Sequence, residues 1–309
     1  MMSQPFFYCS NLSRAAGERT FGTASVGEVW LLIEYREALG AHALGDSVLS
    51  VEIKRHLNKF CKTVPRARLL FIKQERQRLD PLSCFVVRCR ERAPSIEQFE
   101  LSGYDDLLKF DLTVLAAGGS REGGVRLDTP LYLVCTHGKR DKCCAKFGYA
   151  LYKSLRDDAA EGSDGGGGRV WQSSHVGGDR FAANLICFPH GLFYAHVTED
   201  AGRRIVEEYE GRRVVLEGYR GRACYSYPVQ AAEFFIRTET GLSALDGLRY
   251  RRHERTGDRS WRVTFAATDG TLHEAHIAAR TSEFHNYITC QSAEERPVVQ
   301  YVLENYLAT

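Results

Sequence analysis

Apolar positions fall into short β-type runs, interrupted by a few stretches of helical period. Val29 to Tyr35, Arg68 to Lys73 and Phe85-Val86-Val87 are apolar, β-rich runs. Between the first two, Leu49, Ile53, Leu57 and Phe60 recur at helical spacing, which predicts an amphipathic helix. Cys61 ends that helix and reads as a core thiol, because a free cysteine packs as a small hydrophobe. Cys84 and Cys89 are five apart in a strand-like segment. Period two turns them to opposite faces and argues against a shared metal site.

The middle of the chain has a clearer order. Leu131 to Val134 is a strand, and Lys142 to Leu155 a helix with Asp141 placed to cap it. Val170 to Ser173 is strand-like. Leu185 to Phe188 and Leu192 to Val197 flank Pro189-His190-Gly191, a hairpin signal, and Asp200 to Tyr209 is a second helix. This β-α-β-β-β-α order is that of a small α/β sandwich of the thioredoxin type. Further on come a helix from Pro228 to Arg237 and strands from Trp261 to Ala266 and Leu272 to Ile277. Glu295 to Tyr306 is a candidate terminal helix. His273 and His276, three apart in the second of these strands, read as solvent-exposed histidines on opposite sides. Glycine-rich stretches at 118–124 and 161–168 read as a boundary between lobes and a loop. The expected division is an α/β lobe over 1–118, a thioredoxin-like domain over 125–216 and a small α+β extension over 217–309. No internal repeat is visible.

Composition changes the picture in one respect. The 309 residues are 44% hydrophobic and 26% charged, ordinary for a folded soluble chain of about two domains. With 41 basic and 39 acidic residues there is no reason to expect a polyanion partner, so no nucleic acid is anticipated. The basic cluster Arg249, Arg251, Arg252 and Arg255 reads as a solvated strand or a docking face for an acidic redox partner. No run approaches the ~18 apolar residues of a membrane span, and the start lacks the pattern of a signal peptide. Ten cysteines in such a chain point to a reducing cytoplasm, with thiols free or bound to metal.

Two segments carry candidate chemistry. Cys135-Thr136-His137-Gly138-Lys139-Arg140-Asp141-Lys142-Cys143-Cys144 runs from the carboxyl end of a strand into a helix, where ligands collect in open α/β sheets. A helix start also favours the thiolate that metals require. Cys144 lies three residues before Phe147, on the inward stripe with Leu151 and Leu155, so it can share a site with Cys135. Cys143, turned ~100° away, reads as a thiol at the rim. The second segment, His175-Val176-Gly177-Gly178-Asp179-Arg180, offers an imidazole and a carboxylate around a glycine pair. Spacing alone leaves three readings open: a four-ligand metal site, two inert loops, or thiol–disulfide chemistry.

The paired motifs, Cys135-x8-Cys144 and His175-x-Gly-Gly-Asp179, resemble those of the sucrase/ferredoxin-like family, a thioredoxin-like ferredoxin branch. Gly22-Thr23-Ala24, Trp30-Leu31-Leu32 and Tyr219 to Arg222 before Pro228 to Glu233 resemble it too. The resemblance implies a [2Fe–2S] cluster with Cys135, Cys144 and His175 as ligands. Eukaryotic members carry histidine where this chain has Asp179, which leaves Asp179 as fourth ligand or as a group orienting His175. His137 and Cys143 are the nearest substitutes. Charge counting then places the potential between histidine-rich and all-cysteine clusters, about −150 to +300 mV and about −400 mV. Arg180 reads as an ion-pairing residue or a cation that tunes the cluster, and Asn184 as a side chain that pins the loop.

The function expected is one-electron transfer with an unknown redox donor or acceptor protein. The alternatives are a thiol-based redox enzyme or sensor using Cys135, Cys143 and Cys144, and a zinc-binding or interaction module. Adjacent cysteines form only a strained ring and no Cys-x-x-Cys is present, which disfavours the thiol enzyme. Sucrase activity needs two carboxylates flanking a sugar, and no motif suggests them.

Overall fold

The computed structural model describes residues 7–75, 81–119, 122–161 and 166–309. The glycine stretches fall partly outside them, at 120, 121 and 162–165. A short helix, α1 (Cys9–Ala15), precedes a first α/β unit. That unit runs β1 (Val29–Glu34), α2 (Val51–Thr63), β2 (Ala67–Lys73), β3 (Leu82–Arg88), β4 (Ser95–Leu101), α3 (Leu112–Ala117) and β5 (Val125–Leu127). A second unit follows with β6 (Leu131–Cys135), a π-helical turn (Cys144–Gly148) running into α4 (Tyr149–Glu161), β7 (Val170–Ser173), β8 (Leu185–Phe188), β9 (Leu192–Tyr194), α5 (Glu199–Glu210) and β10 (Tyr219–Arg222).

The protein is mixed α/β, and its strands show a duplication that the sequence does not. In the first unit β1 pairs parallel with β2 and antiparallel with β3, β3 with β4, and β4 with β5. In the second, β6 pairs parallel with β7 and antiparallel with β8, β8 with β9, and β9 with β10. The two patterns are the same. They join where β2 meets β7 antiparallel, Ile72 opposite Ser173 and Lys73 opposite Gln172. The result is one ten-stranded sheet whose order, β10-β9-β8-β6-β7-β2-β1-β3-β4-β5, reads as the same unit from either end. The junction lies at the carboxyl ends of β2 and β7, so the loops after those ends converge at the middle of the sheet. It also pairs two edges that would otherwise expose unsatisfied backbone groups.

The sheet curls. Trp30 of β1 packs against Phe188 of β8 and Phe193 of β9, centroids 5.5 and 5.9 Å apart, although four and five strand positions separate them. One apolar cluster therefore draws on the inner faces of both units, with Leu32, Ile72, Phe85, Leu133, Cys135, Trp171 and Ile186 all buried. The outer face of the first unit is covered by Ile53, Leu57 and Phe60 of α2 and Leu112 and Leu115 of α3. That of the second is covered by Leu151, Tyr152 and Leu155 of α4 and Ile205 and Tyr209 of α5. Period two holds at Cys84 and Cys89, which are buried in clusters on opposite faces. Cys61, expected in the core, is exposed. The helix continues two residues beyond it, and a ~100° step from the buried Phe60 turns it outward.

The rest of the chain forms α6 (Tyr227–Thr240) and an antiparallel sheet of β11 (Leu248–Arg255), β12 (Ser260–Ala267), β13 (Leu272–Asn286) and β14 (Arg296–Ala308). Buried Glu233 of α6 links this region to β10. It pairs with Arg222 at 3.2 Å and Arg237 at 3.1 Å and accepts from the Tyr219 hydroxyl at 2.9 Å. The arginines of β11 lie on an exposed strand. The expected terminal helix is β14 instead, paired with β13 along nearly its whole length. Val298, Val299, Tyr301 and Val302 favour a strand once an edge as long as β13 is available. His273 is not solvent-exposed either. It is buried, stacked on Tyr306 and 2.7 Å from its hydroxyl, while His276 is partly buried and 2.7 Å from Glu274. No helix among the described residues is long and apolar enough to cross a membrane.

His190, in the β8–β9 turn, sits 2.6 Å from the Tyr209 hydroxyl. Burial, then Arg222 and Arg212, hold its pKa down at about 4 from an ordinary 6.5. The folded protein thus keeps it neutral while the unfolded chain protonates it from pH 6.5 downward. Stability falls between pH 6.5 and 4, by up to about 3 kcal/mol from this residue. His190→Gln should flatten that part of the profile, read from urea midpoints across the range. His196, also held at about 4, keeps its own share of the slope.

Candidate metal centre

Cys135 closes β6, and its amide donates to the Asn184 carbonyl at 3.2 Å. The chain then turns over and re-enters a helix at Lys142, where Asp141 caps as expected, Oδ1 accepting from the Cys143 amide at 2.8 Å. The next turn is π-helical, a local widening common at functional positions. It presses Gly148 onto the start of the loop. A Cβ at Gly148 would lie 2.0 Å from the Cys135 carbonyl oxygen. This close approach brings the Cys144 thiol to Cys135, to which it donates a hydrogen bond.

The second loop arrives from β7. Gly177 and Gly178 are both left-handed, φ 89° and 83°, and lead into a short 3-10 turn over Asp179–Phe181. Arg220 of β10 fixes this backbone. Its guanidinium donates to Gly177 O (2.9 Å), Asn184 Oδ1 (2.7 Å) and Thr23 O (2.6 Å), while Asn184 Nδ2 donates to Gly178 O at 2.9 Å. Asn184 thus pins the loop, as expected. Arg220 has no counterpart in the sequence reading beyond its place in the resemblance.

The four residues picked out by spacing come together here. Cys135 contacts Cys144 and His175, His175 Nδ1 lies 2.9 Å from Asp179 Oδ1, and Cys144 Sγ lies 3.6 Å from the same oxygen. Contacts therefore run around a ring of four. Cys135, Cys144 and Asp179 are almost completely buried, while the His175 side chain is 28% exposed. Hydrogen bonds from Cys144 and His175 hold the Cys135 thiol well below its usual range despite burial, and Cys144 is raised in turn. Burial opposes charge on His175, but Asp179 and Cys135 outweigh it and lift its pKa to about 9.

The two substitutes are placed elsewhere. His137 uses both ring nitrogens, Nδ1 accepting from the His175 amide at 3.2 Å and Nε2 donating to Gly40 O at 2.7 Å, so it supports the loop. Cys143 does face away from Cys144, but it is fully buried and not at the rim. It meets Cys9 and Cys290, to which no sequence motif assigns a role. The ligand atoms of Cys9, Asp141, Cys143 and Cys290 all lie within 4.8 Å of one another, a group able to bind metal. Nothing in the spacing signals it, because Cys9 and Cys290 are 281 positions apart. Arg180 pairs with Glu18 at 2.6 Å, the structural alternative of the two considered.

A family model described as sucrase/ferredoxin-like matches residues 23–221. The chain belongs to the sucrase/ferredoxin-like family. The match takes in the whole ring of four and Arg220, and leaves out Cys9 and Cys290. Searches of curated proteins and of solved structures return no match.

Removing Arg220 leaves the buried Asn184 Oδ1 and the partly buried Gly177 and Thr23 carbonyls without their donor, at about 1–3 kcal/mol for a buried group. Arg220→Met is therefore expected to lower the unfolding free energy by at least about 2 kcal/mol in urea titrations. A change within about 0.5 kcal/mol would show that the loop does not depend on it.

Proposed function

We propose that this protein moves single electrons through a [2Fe–2S] cluster held by Cys135, Cys144, His175 and Asp179. The observation that carries this reading is the ring itself, two thiols, an imidazole and a carboxylate closed within two loops of one α/β unit. When bound, such a cluster supplies one-electron oxidation and reduction.

The residues fit the group. His175 Nδ1 is buried and has no hydrogen bond of proper geometry, although Asp179 lies beside it. A buried nitrogen left in that condition calls for an explanation, and metal ligation is one. Ligation would deprotonate both thiols, and two thiolates and a carboxylate would then put three negative charges where almost no water reaches, a charge that must be compensated. Arg220 offers one positive charge beneath the loop, and the 2+ core of an oxidised cluster would balance the rest. His175 alone reaches solvent, so a donor or acceptor protein would approach at its edge.

A second reading rests on the Cys135–Cys144 contact and the low Cys135 pKa, which would also serve a dithiol that cycles with a disulfide. Anaerobic purification separates the two. About two iron and two sulfide per chain support the cluster, whereas iron-free protein with a Cys135–Cys144 disulfide supports the dithiol.

With the cluster present, His175→Ala and Cys135→Ala should lose it. Asp179→His exchanges an anionic ligand for a neutral one, so the potential should rise by on the order of 100 mV. An unchanged potential and spectrum in Asp179→Ala would remove Asp179 from the ligand set.

A further inference from the structure

We propose that Cys9, Cys143 and Cys290, with Asp141 Oδ2 as fourth ligand, form a second metal site that takes one thiophilic divalent ion. Zinc(II) and ferrous iron share the required chemistry. The ion would fasten both ends of the chain to the start of the helix.

The three sulfurs form a nearly equilateral triangle. Cys9 to Cys143 is 3.6 Å, Cys143 to Cys290 is 3.2 Å and Cys290 to Cys9 is 3.4 Å. Disulfide sulfurs lie about 2.05 Å apart. Three thiolates at about 2.3 Å from one tetrahedral ion would be separated by about 3.8 Å. The observed triangle is close to the second value and far from the first. In a [2Fe–2S] cluster only two protein ligands share an iron, so three mutually adjacent sulfurs suit a single ion.

Asp141 completes the set. Its Oδ1 accepts from the Cys143 amide at 2.8 Å and its Oδ2 from the Cys290 amide at 2.7 Å. Oδ2 keeps a second lone pair and lies 3.9 Å from Cys9 Sγ, where about 3.5 Å is the separation expected for a sulfur and an oxygen on one tetrahedral ion. Backbone amides also face the sulfurs, as they do around bound thiolates. The Cys9 amide donates to Cys290 Sγ at 3.4 Å and the Ser10 amide to Cys143 Sγ.

The site is largely enclosed. Cys9 and Cys143 are fully buried, and Phe7 stacks on Tyr287 at 4.2 Å beside them. Cys9 opens α1, Cys143 stands at the start of the helix beside the first site, and Cys290 lies between β13 and β14. A four-ligand site with no open position is structural. Two of its thiols lie outside the family match, so the family's own site does not account for them.

The test removes the first site. In a Cys135→Ala/Cys144→Ala/His175→Ala variant of the full chain, purified anaerobically, one zinc or one sulfide-free iron should remain per chain, as measured by mass spectrometry of the metals. Adding Cys290→Ser, a change at a partly exposed position, should weaken zinc binding on the order of 100-fold in a chelator competition. Cobalt(II) should give the absorption of a tetrahedral thiolate site in the first variant and lose it in the second. Metal-free protein that takes up neither zinc nor cobalt, a Cys143–Cys290 disulfide, or sulfide-bearing iron lost on Cys290→Ser would each overturn the proposal. If the triple variant fails to fold, Cys290→Ser in the otherwise native chain serves, with loss of one metal ion at unchanged sulfide as the expected result. Failure of the first-site reading shows instead as absent sulfide in the native protein.

Discussion

Gly148 against the Cys135 carbonyl is the contact on which the rest of this centre depends. No side chain fits in that gap, so the helix can lie directly over the end of β6. Because it does, the residue that opens the π-turn, Cys144, falls beside Cys135. The residue before it, about one hundred degrees around the axis, falls on the other side of the backbone. Two adjacent cysteines thus join two separate clusters of polar side chains. Asp141 caps the same turn and holds the amide of Cys290 with its other oxygen, so one carboxylate fixes the helix start and the C-terminal loop together.

The duplicated sheet explains why the centre is enclosed. Each unit directs the loops at the carboxyl ends of its parallel strands towards the β2–β7 junction. In the second unit those loops carry the ring of four. In the first, β1 ends at Glu34, and the loop that follows over residues 35–50 contains no cysteine. Its long β1–α2 loop instead supplies Gly40 O, which orients His137, which in turn holds the amide of His175. One unit thus carries the ring of four while the other provides a wall for it.

Most strands and helices were legible because each buries one face, and period two or 3.6 records that directly. The duplication was not legible, because it lies in strand order and the two units share no residue pattern. Glu295 to Tyr306 misled for a related reason. An apolar run of that length suits either element, and only the free edge of β13 decides. His273 looked solvent-facing because strand parity says which side a residue faces but not whether that side is covered. Within the centre, Cys135, Cys144, His175 and Asp179 were legible because the two loops are short and each carries two of them. Cys9 and Cys290 were not, because no local pattern links opposite ends of a chain.

The cations show the same division between adjacency and topology. Arg180, next to Asp179 in sequence, is the obvious candidate to offset its charge, yet its guanidinium is spent on Glu18. That carboxylate also accepts from Ser13 and Asn286, and so ties the N-terminal segment to the C-terminal loop. Arg222 is likewise spent on Glu233. Arg220, forty-one residues beyond Asp179, reaches the loop from β10 and gives its hydrogen bonds to neutral oxygens of Gly177, Asn184 and Thr23. Its charge is therefore not cancelled by a carboxylate of its own, and it acts on Asp179 and Cys135 through a dry interior where screening is weak. A residue that holds the loop's shape is thus also the one that sets the field in which the ring of four sits.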